Sequence, residues 1–355
     1  MPNLTETTYY ARKTLKLTLI VIVGYITLQI LITNAIKLYK YLNPPPPPPP
    51  TVGFGLLSSV TFPDNPGYDF QFKLETPTGT FPSFPDRANV YAMPPQQASL
   101  LALEQSTKLA TKLRFAGEPK DLSSSIYEWT RNIPAPFTLR VNGLDGTFSL
   151  SYQWQTDSSI LMERQLPGRE RAIMLARSFL ASIDKVNPDI DFENGVVTYL
   201  KASGNKLVVA SSLSQADFVK VDFFRNDIDM LDVVTPNPNQ GIISMVFSGS
   251  TKTEKQIISA TYNYFTIHYP SPETYPLKPV ALAWEELRGG KAFIAKKLDD
   301  TKEITIRRIY LAYYDSPQPQ LFMQPVYLFL DDPDNPSFTA YVSAVSDEYI
   351  DKTSQ

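Results

Sequence analysis

The chain contains no cysteine, one histidine and no excess of positive charge, and each shortage removes a class of function. Without cysteine there are no disulfides, thiol nucleophiles, iron–sulfur clusters or thiolate zinc sites. His268, the single histidine, has no second imidazole with which to share a metal. It stands at the end of an alternating segment, Tyr262, Tyr264, Thr266, His268, and reads as a rim residue. A Ser-His-Asp mechanism would need His268 as its base, and no Gly-x-Ser-x-Gly elbow presents a serine. The formal net charge of −3 supplies no basic field for a polyphosphate, which argues against nucleic acid as a partner. No glycine-rich phosphate loop is present either, since Gly289-Gly290-Lys291 follows a helical segment instead of opening one. Nothing in the sequence points to a cofactor.

Charge is also missing locally, because residues 17–36 form a run of 20 without a charged side chain. As a helix this run rises about 30 Å, the hydrocarbon thickness of a bilayer. It exceeds the apolar stretch of a signal peptide and has no small-residue cleavage box after it, so it reads as an uncleaved anchor. Tyr9, Tyr10, Tyr39 and Tyr41 flank the run, with Arg12 and Lys13 before it, as expected of side chains at the two membrane interfaces. Lys16 adds a third cation before the run, against Lys37 and Lys40 after it. This weak asymmetry favours a cytoplasmic N-terminal head over residues 1–14, a transmembrane helix and flank over 15–43, and an extracytoplasmic remainder. Seven prolines at 44–50 form a stiff spacer of about 22 Å at ~3.1 Å per residue.

Beyond the spacer the composition suits strands and turns: the chain has 31 prolines, 20 tyrosines and 20 phenylalanines. Three segments carry helical periodicity. In 169–184, Ala172, Leu175, Ala176, Phe179, Leu180 and Ile183 form one apolar stripe. In 279–288, a proline at the first turn precedes Val280, Ala283, Trp284 and Leu287, and Gly289-Gly290 stops the segment. The third, 97–114, has its best stripe in Ala102, Leu109 and Leu113.

Alternating segments come after each helix. Phe148, Leu150, Tyr152 and Trp154 fall on one face of a strand. Ser203-Gly204-Asn205 signals a hairpin between 196–201 and 206–210. In 303–314 the apolar parity changes at Arg307-Arg308, from Ile304 and Ile306 to Ile309, Leu311 and Tyr313, as at a bulge or a strand passing between two packing environments. The pattern predicts an α+β fold in which one N-terminal transmembrane helix precedes two or three tandem units of an amphipathic helix on a curled antiparallel sheet. Their expected spans are 51–157, 158–272 and 273–355, with 51–93 extending the sheet of the first.

Two further strings have plainer explanations than chemistry. Ser182-Ile183-Asp184-Lys185 matches the Ser-x-x-Lys of penicillin-recognising enzymes, but its serine falls in the last helical turn, away from the end whose dipole favours an oxyanion. Asp331-Asp332-Pro333-Asp334-Asn335 has the oxygens of a calcium loop, yet also the composition of an ordinary turn, without the glycine and distal glutamate of an EF-hand. The tyrosines Tyr310, Tyr313, Tyr314, Tyr327 and Tyr341 crowd the last sheet and are the candidate surface for a partner strand, helix or peptide.

The last part of the chain reads Gly289-Gly290-Lys291, Ile304-x-Ile306-x-x-Ile309-x-Leu311-x-Tyr313-Tyr314, Gln324-Pro325-Val326-Tyr327-x-Phe329 and Tyr341-Val342-Ser343-Ala344. Over that fifth of the sequence it resembles the YycH/YycI type of membrane-anchored regulators of a cell-wall two-component sensor kinase, and more loosely the PepSY module. Tyr327 stands where that family tends to have tryptophan, and Ser343 where it tends to have asparagine. The resemblance implies a non-catalytic role in contact with a membrane partner. The expectation is thus a non-enzymatic, single-pass membrane protein that binds or regulates another cell-envelope protein. A structural or assembly component of an envelope or secretion machine is the alternative, and an envelope hydrolase working with carboxylates alone is the third reading.

Overall fold

The charge-free run becomes part of one continuous helix, α1 (Leu4–Leu42), in a computed structural model that describes residues 4–43, 48–64, 67–95, 100–132, 134–297 and 302–351. Within Thr8–Leu42 an 18-residue stretch has a mean hydropathy of 2.2 and no buried residue, so among the described residues one helix is long and apolar enough to cross a membrane. Polar side chains within it bond back to the helix. The Thr27 and Thr33 hydroxyls donate to the carbonyls of Val23 and Gln29 at 2.8 Å, and the Gln29 amide donates to the Tyr25 hydroxyl at 3.0 Å. That satisfies hydroxyls where lipid would offer no partner. Met1–Pro49 and Pro50–Gln355 are separate compact units. Of the proline run, residues 44–47 lie outside the described ones, and 48–50 carry no regular structure.

The second unit is α+β and mostly sheet. Strands β1 (Leu57–Ser58), β2 (Gln71–Leu74) and β3 (Arg87–Ala92) lead to helix α2 (Ala102–Lys112). A meander continues through β4 (Lys120–Ser123), β5 (Ile126–Asn132), β6 (Pro136–Asn142) and β7 (Phe148–Tyr152). Helix α3 (Arg169–Ser182) precedes β8 (Val196–Ser203), β9 (Lys206–Val209), β10 (Phe218–Phe223), β11 (Val233–Val234) and β12 (Ile243–Ser248). A single helical turn, α4 (Thr253–Gln256), leads into β13 (Ile257–Tyr262) and β14 (His268–Pro276). Helix α5 (Val280–Arg288) precedes β15 (Phe293–Lys296), β16 (Glu303–Ile306), β17 (Arg308–Tyr314), β18 (Phe322–Leu330), β19 (Thr339–Ser343) and β20 (Ile350–Asp351).

One antiparallel sheet of nine strands runs β4-β5-β6-β7-β13-β12-β10-β8-β9. The expected first and second units therefore share a sheet, joined where Leu150 of β7 pairs with Ala260 of β13. Period two sets which face is buried: Phe148, Leu150 and Tyr152 are in the core, as are their cross-strand partners Val141, Leu139 and Phe137. Trp154 joins them from a 3-10 turn just past the strand. Helix α2 packs on β5 and β6, and α3 on β8 and β10, so each helix covers one flank of this sheet.

The second sheet runs β11-β17-β18-β19-β15, with β3 and β14 attached beside β18. The parity change at Arg307 is a change of partner: Glu303–Ile306 pairs in parallel with β2, and Arg308–Tyr314 pairs antiparallel with β18. Segment 51–93 departs from expectation. None of its strands joins the nine-stranded sheet; β1 pairs with β20, β2 with β16, and β3 with β14 and β18. The physical reason is aromatic. Phe72 meets Trp284 and Phe338 at centroid distances of 6.2 and 5.7 Å, and Phe84 meets Tyr327 at 5.2 Å, which closes the core around α5.

Candidate functional site

Of the five tyrosines expected to form a partner surface, four are core residues. Tyr313, Tyr314, Tyr327 and Tyr341 are at most 1% exposed. Three of their hydroxyls are occupied: Tyr313 donates to the Asp229 carboxylate and to the Asn89 carbonyl at 2.9 Å, Tyr327 to the Lys278 carbonyl at 2.8 Å, and Tyr341 to the Thr235 carbonyl at 3.0 Å. Burial pushes the Tyr327 phenol up to about 12. The sheet is covered on both faces, which is why strand propensity and surface display could not be separated by composition. Tyr310 alone is exposed, at 40%. At α1, Tyr9, Tyr10, Tyr39 and Tyr41 are exposed at 63 to 83%, and Arg12 and Lys13 are also exposed, as is every described side chain of this helix.

The buried ionic groups form closed clusters. Arg225 donates from Nε to Asp315 at 2.8 Å, from Nη1 to Asp189, and from Nη2 to the Phe265 carbonyl at 3.0 Å. It lies just past β10, while Asp315 lies just past β17, so this pair ties the two sheets together. Burial raises the Asp315 carboxyl above its ordinary value even though the guanidinium beside it acts in the opposite direction. Lys255 donates to Asp157 at 2.6 Å and to the Ser159 hydroxyl at 2.9 Å, and Tyr152 donates to the same carboxylate at 2.7 Å. Burial alone would raise Asp157, but the bonds from Lys255, Ser159 and Tyr152 outweigh it and hold the carboxyl below its usual range. Ser159 in turn donates to Asp157 at 2.6 Å, so its proton faces an acceptor made weakly basic by the ammonium.

The other sequence candidates are used locally. Ser182 donates to the Phe179 carbonyl at 2.6 Å, while Lys185 reaches the Gly146 carbonyl at 3.1 Å, so the Ser-x-x-Lys string does not form a pair. Asp331 and Asp332 accept the backbone N–H groups of their own turn, from Asp332 through Phe338. Among the described residues no group of three or more histidines and carboxylates could hold a metal. His268 is exposed where β14 starts, opposite Ala92.

The opening with binding geometry lies elsewhere. Helices α2 and α3 cover opposite flanks of the nine-stranded sheet, which leaves a gap between the two helices over the central strands β7, β13 and β12. A cleft of about 420 Å³ occupies that gap. Its floor is Phe137, Leu150, Phe247 and Ile257; Leu175 and Phe179 of α3 form one wall, and the end of α2 forms the other. Lys112 of α2 pairs with Asp184 past the end of α3, and so bridges the two walls. A volume of ~300–1,000 Å³ with an apolar floor and few polar groups is typical of ligand sites.

Arg131 of β5 is the charged group of this cleft. Its guanidinium carbon lies 4.7 Å from the Phe115 ring centroid and 5.0 Å from that of Phe137, and Nη1 donates to the Arg114 carbonyl at 3.0 Å. Arg114 adopts a positive φ of 62°, the backbone turn that ends α2 and aims this carbonyl. Nε is buried and has no hydrogen-bond partner among the described residues. Burial lowers the Arg131 pKa, with Glu254 acting against that and Arg114 adding to it. Only a faint signal of this site exists in the sequence: Leu175 and Phe179 belong to the α3 stripe, but nothing local tells that they face a gap.

No protein-family model matches the chain, and no curated protein matches it. A crystal structure of an uncharacterized protein from Eubacterium rectale ATCC 33656 is similar over 74% of this chain and 84% of its own, at 14% identity and a TM-score of 0.39.

Proposed function

We propose that the protein is a non-enzymatic, single-pass membrane protein whose sheet-rich body lies outside the cytoplasm and binds or regulates another cell-envelope protein. The observation that carries this reading is an 18-residue stretch within Thr8–Leu42 that combines a mean hydropathy of 2.2 with no buried residue. A lipid bilayer covers such a surface. The interfacial tyrosines and the proline spacer support the same placement. In this reading the body is a set of tandem helix-on-sheet modules, the first two fused through one sheet. Confinement beside the membrane raises the effective concentration toward partners in the same bilayer, so a modest contact suffices. The resemblance of the last fifth to membrane-anchored kinase regulators agrees with it.

The test uses right-side-out vesicles from cells expressing the full chain. The protein is expected to stay in the pellet after alkaline carbonate extraction, and added protease is expected to digest the body. Recovery of a soluble polypeptide lacking the first forty or so residues would overturn the anchored reading. Protection of the body from protease would reverse the orientation.

A further inference from the structure

We propose that the cleft between α2 and α3 takes the C-terminal segment of a partner polypeptide, with the terminal carboxylate on Arg131 and an apolar side chain against Leu175 and Phe179. This rests on the proposed binding role and names what is bound.

Three observations converge. The first is a cation without a close ion-pair partner. Arg225, Arg140, Arg87 and Arg288 all have carboxylates within 3.1 Å, whereas Arg131 has no such ion pair among the described residues. One N–H of Nη1 is taken by the Arg114 carbonyl and Nε is enclosed, so the other N–H of Nη1 and the two of Nη2 are the donors left for a ligand. The two rings under the guanidinium fix its direction before anything binds, which limits the ordering cost of an anion arriving there. A carboxylate suits a planar guanidinium better than any neutral group.

The second observation is the wall. Leu175 and Phe179 lie on the same helical stripe as the buried Ala172, Ala176 and Leu180, yet they remain half-buried because the cleft and not the sheet is opposite them. They offer apolar surface that an entering side chain would remove from water.

The third is the rim, which selects between occupants. Ser178 of α3, together with Thr253, Glu254 and Gln256 around α4, supplies both donors and acceptors. A fatty acid has one polar end and would leave these groups facing its chain. A peptide backbone brings N–H and carbonyl groups at the spacing of its residues, and Glu254, which repels a second anion, accepts an N–H.

The experiment titrates the full chain in lipid nanodiscs with N-acetyl-Ala-Ala-Leu as the free acid, with its C-terminal amide, and with decanoate, monitored by NMR shifts up to millimolar ligand. The free acid is expected to bind about tenfold or more tightly than the amide, the difference of one charge-assisted hydrogen bond. Arg131→Gln is expected to abolish the preference for the acid and Arg131→Lys to keep part of it. Ser178→Trp fills the cleft from an exposed helix position and is expected to block both peptides with the melting temperature unchanged. Equal affinity for acid and amide, no binding of either, or decanoate binding more tightly than the acid peptide would each overturn the proposal. So would an acid preference that survives in Arg131→Gln. These failures are separate from that of the anchored reading, which is decided by carbonate extraction and does not depend on the titration.

Discussion

Replacing Arg225 by leucine removes the cation that joins the two sheets and leaves two carboxylates behind. Asp315 is fully buried and Asp189 is nearly so, and each already has one oxygen without a partner among the described residues. Removing one member of a buried pair costs about 3–5 kcal/mol, because the stranded charge keeps its desolvation penalty and loses its attraction. At an m-value of about 3 kcal/mol per molar urea, the midpoint should fall by roughly 1–1.7 M at pH 8. Tryptophans report where this happens. Trp129 and Trp154 are in the core of the nine-stranded sheet, and Trp284 is in the core around α5. Single-tryptophan versions are expected to unfold together with Arg225 present and apart in Arg225→Leu. The pH dependence has a definite sign. Burial already raises Asp315, and loss of Arg225 raises it further, so the folded variant binds a proton more tightly than the unfolded chain does. Stability of the variant therefore falls as pH rises, and the deficit at pH 5 is expected to be smaller than at pH 8. The double variant Arg225→Leu with Asp315→Leu should recover most of the loss. A midpoint shift below about 0.3 M, under 1 kcal/mol on the same slope, would refute the cluster as the tie between sheets.

Lys255→Met should cost about 3 kcal/mol in urea unfolding, since it strands Asp157 with two hydroxyls and the Ser159 N–H as its donors and no cation, and Asp157→Asn should reduce that cost. Asp157 has a depressed folded value, so its contribution is present above the ordinary carboxylate pKa and is lost as pH falls through the folded one; acid titration of the wild type should be steeper below about pH 4 than that of Asp157→Asn. Gly241→Ala should abolish folding as judged by circular dichroism, because a Cβ there would lie 2.2 Å from the Phe223 carbonyl oxygen, a backbone atom. Met230→Gly should stabilise by about 0.5–1 kcal/mol in thermal melts, since Asp229 and Met230 are the centre of a two-residue turn at φ 54° and 63° and the methionine side chain is 95% exposed.

Much of the local structure was legible because it depends on neighbours in sequence. The periodicity of 169–184 and 279–288 predicted α3 and α5, and the proline and glycine at the ends of the latter stand at its caps. The parity change at Arg307-Arg308 was read from five apolar residues and corresponds to a strand that leaves one partner for another. Long-range parallel pairing left no such trace. Phe72 looks like any aromatic in a short strand, and its partner Ile304 lies more than two hundred residues away. The same limit explains the tyrosines of β17, β18 and β19: alternation tells which side chains share a face, but only the layers packed above and below decide whether that face meets water. Arg131 was missed for the converse reason. An arginine in a strand reads as solvated, and its distinction here, a charge resting on two rings at the mouth of an apolar gap, is assembled from β5, β6 and the turn after α2.

The pairing of Leu57 with Ile350 sets a timetable for biogenesis. A ribosome delivers the first of these almost three hundred residues before the second, and parallel partners cannot be joined by a local turn. Until Ile350 emerges, β1 has no mate, β2 waits for 303–306, and β3 waits for 268–276. The nascent chain consequently carries apolar Phe70, Phe72, Phe81 and Phe84 unshielded through most of its synthesis, a period in which holdase capture competes with self-association.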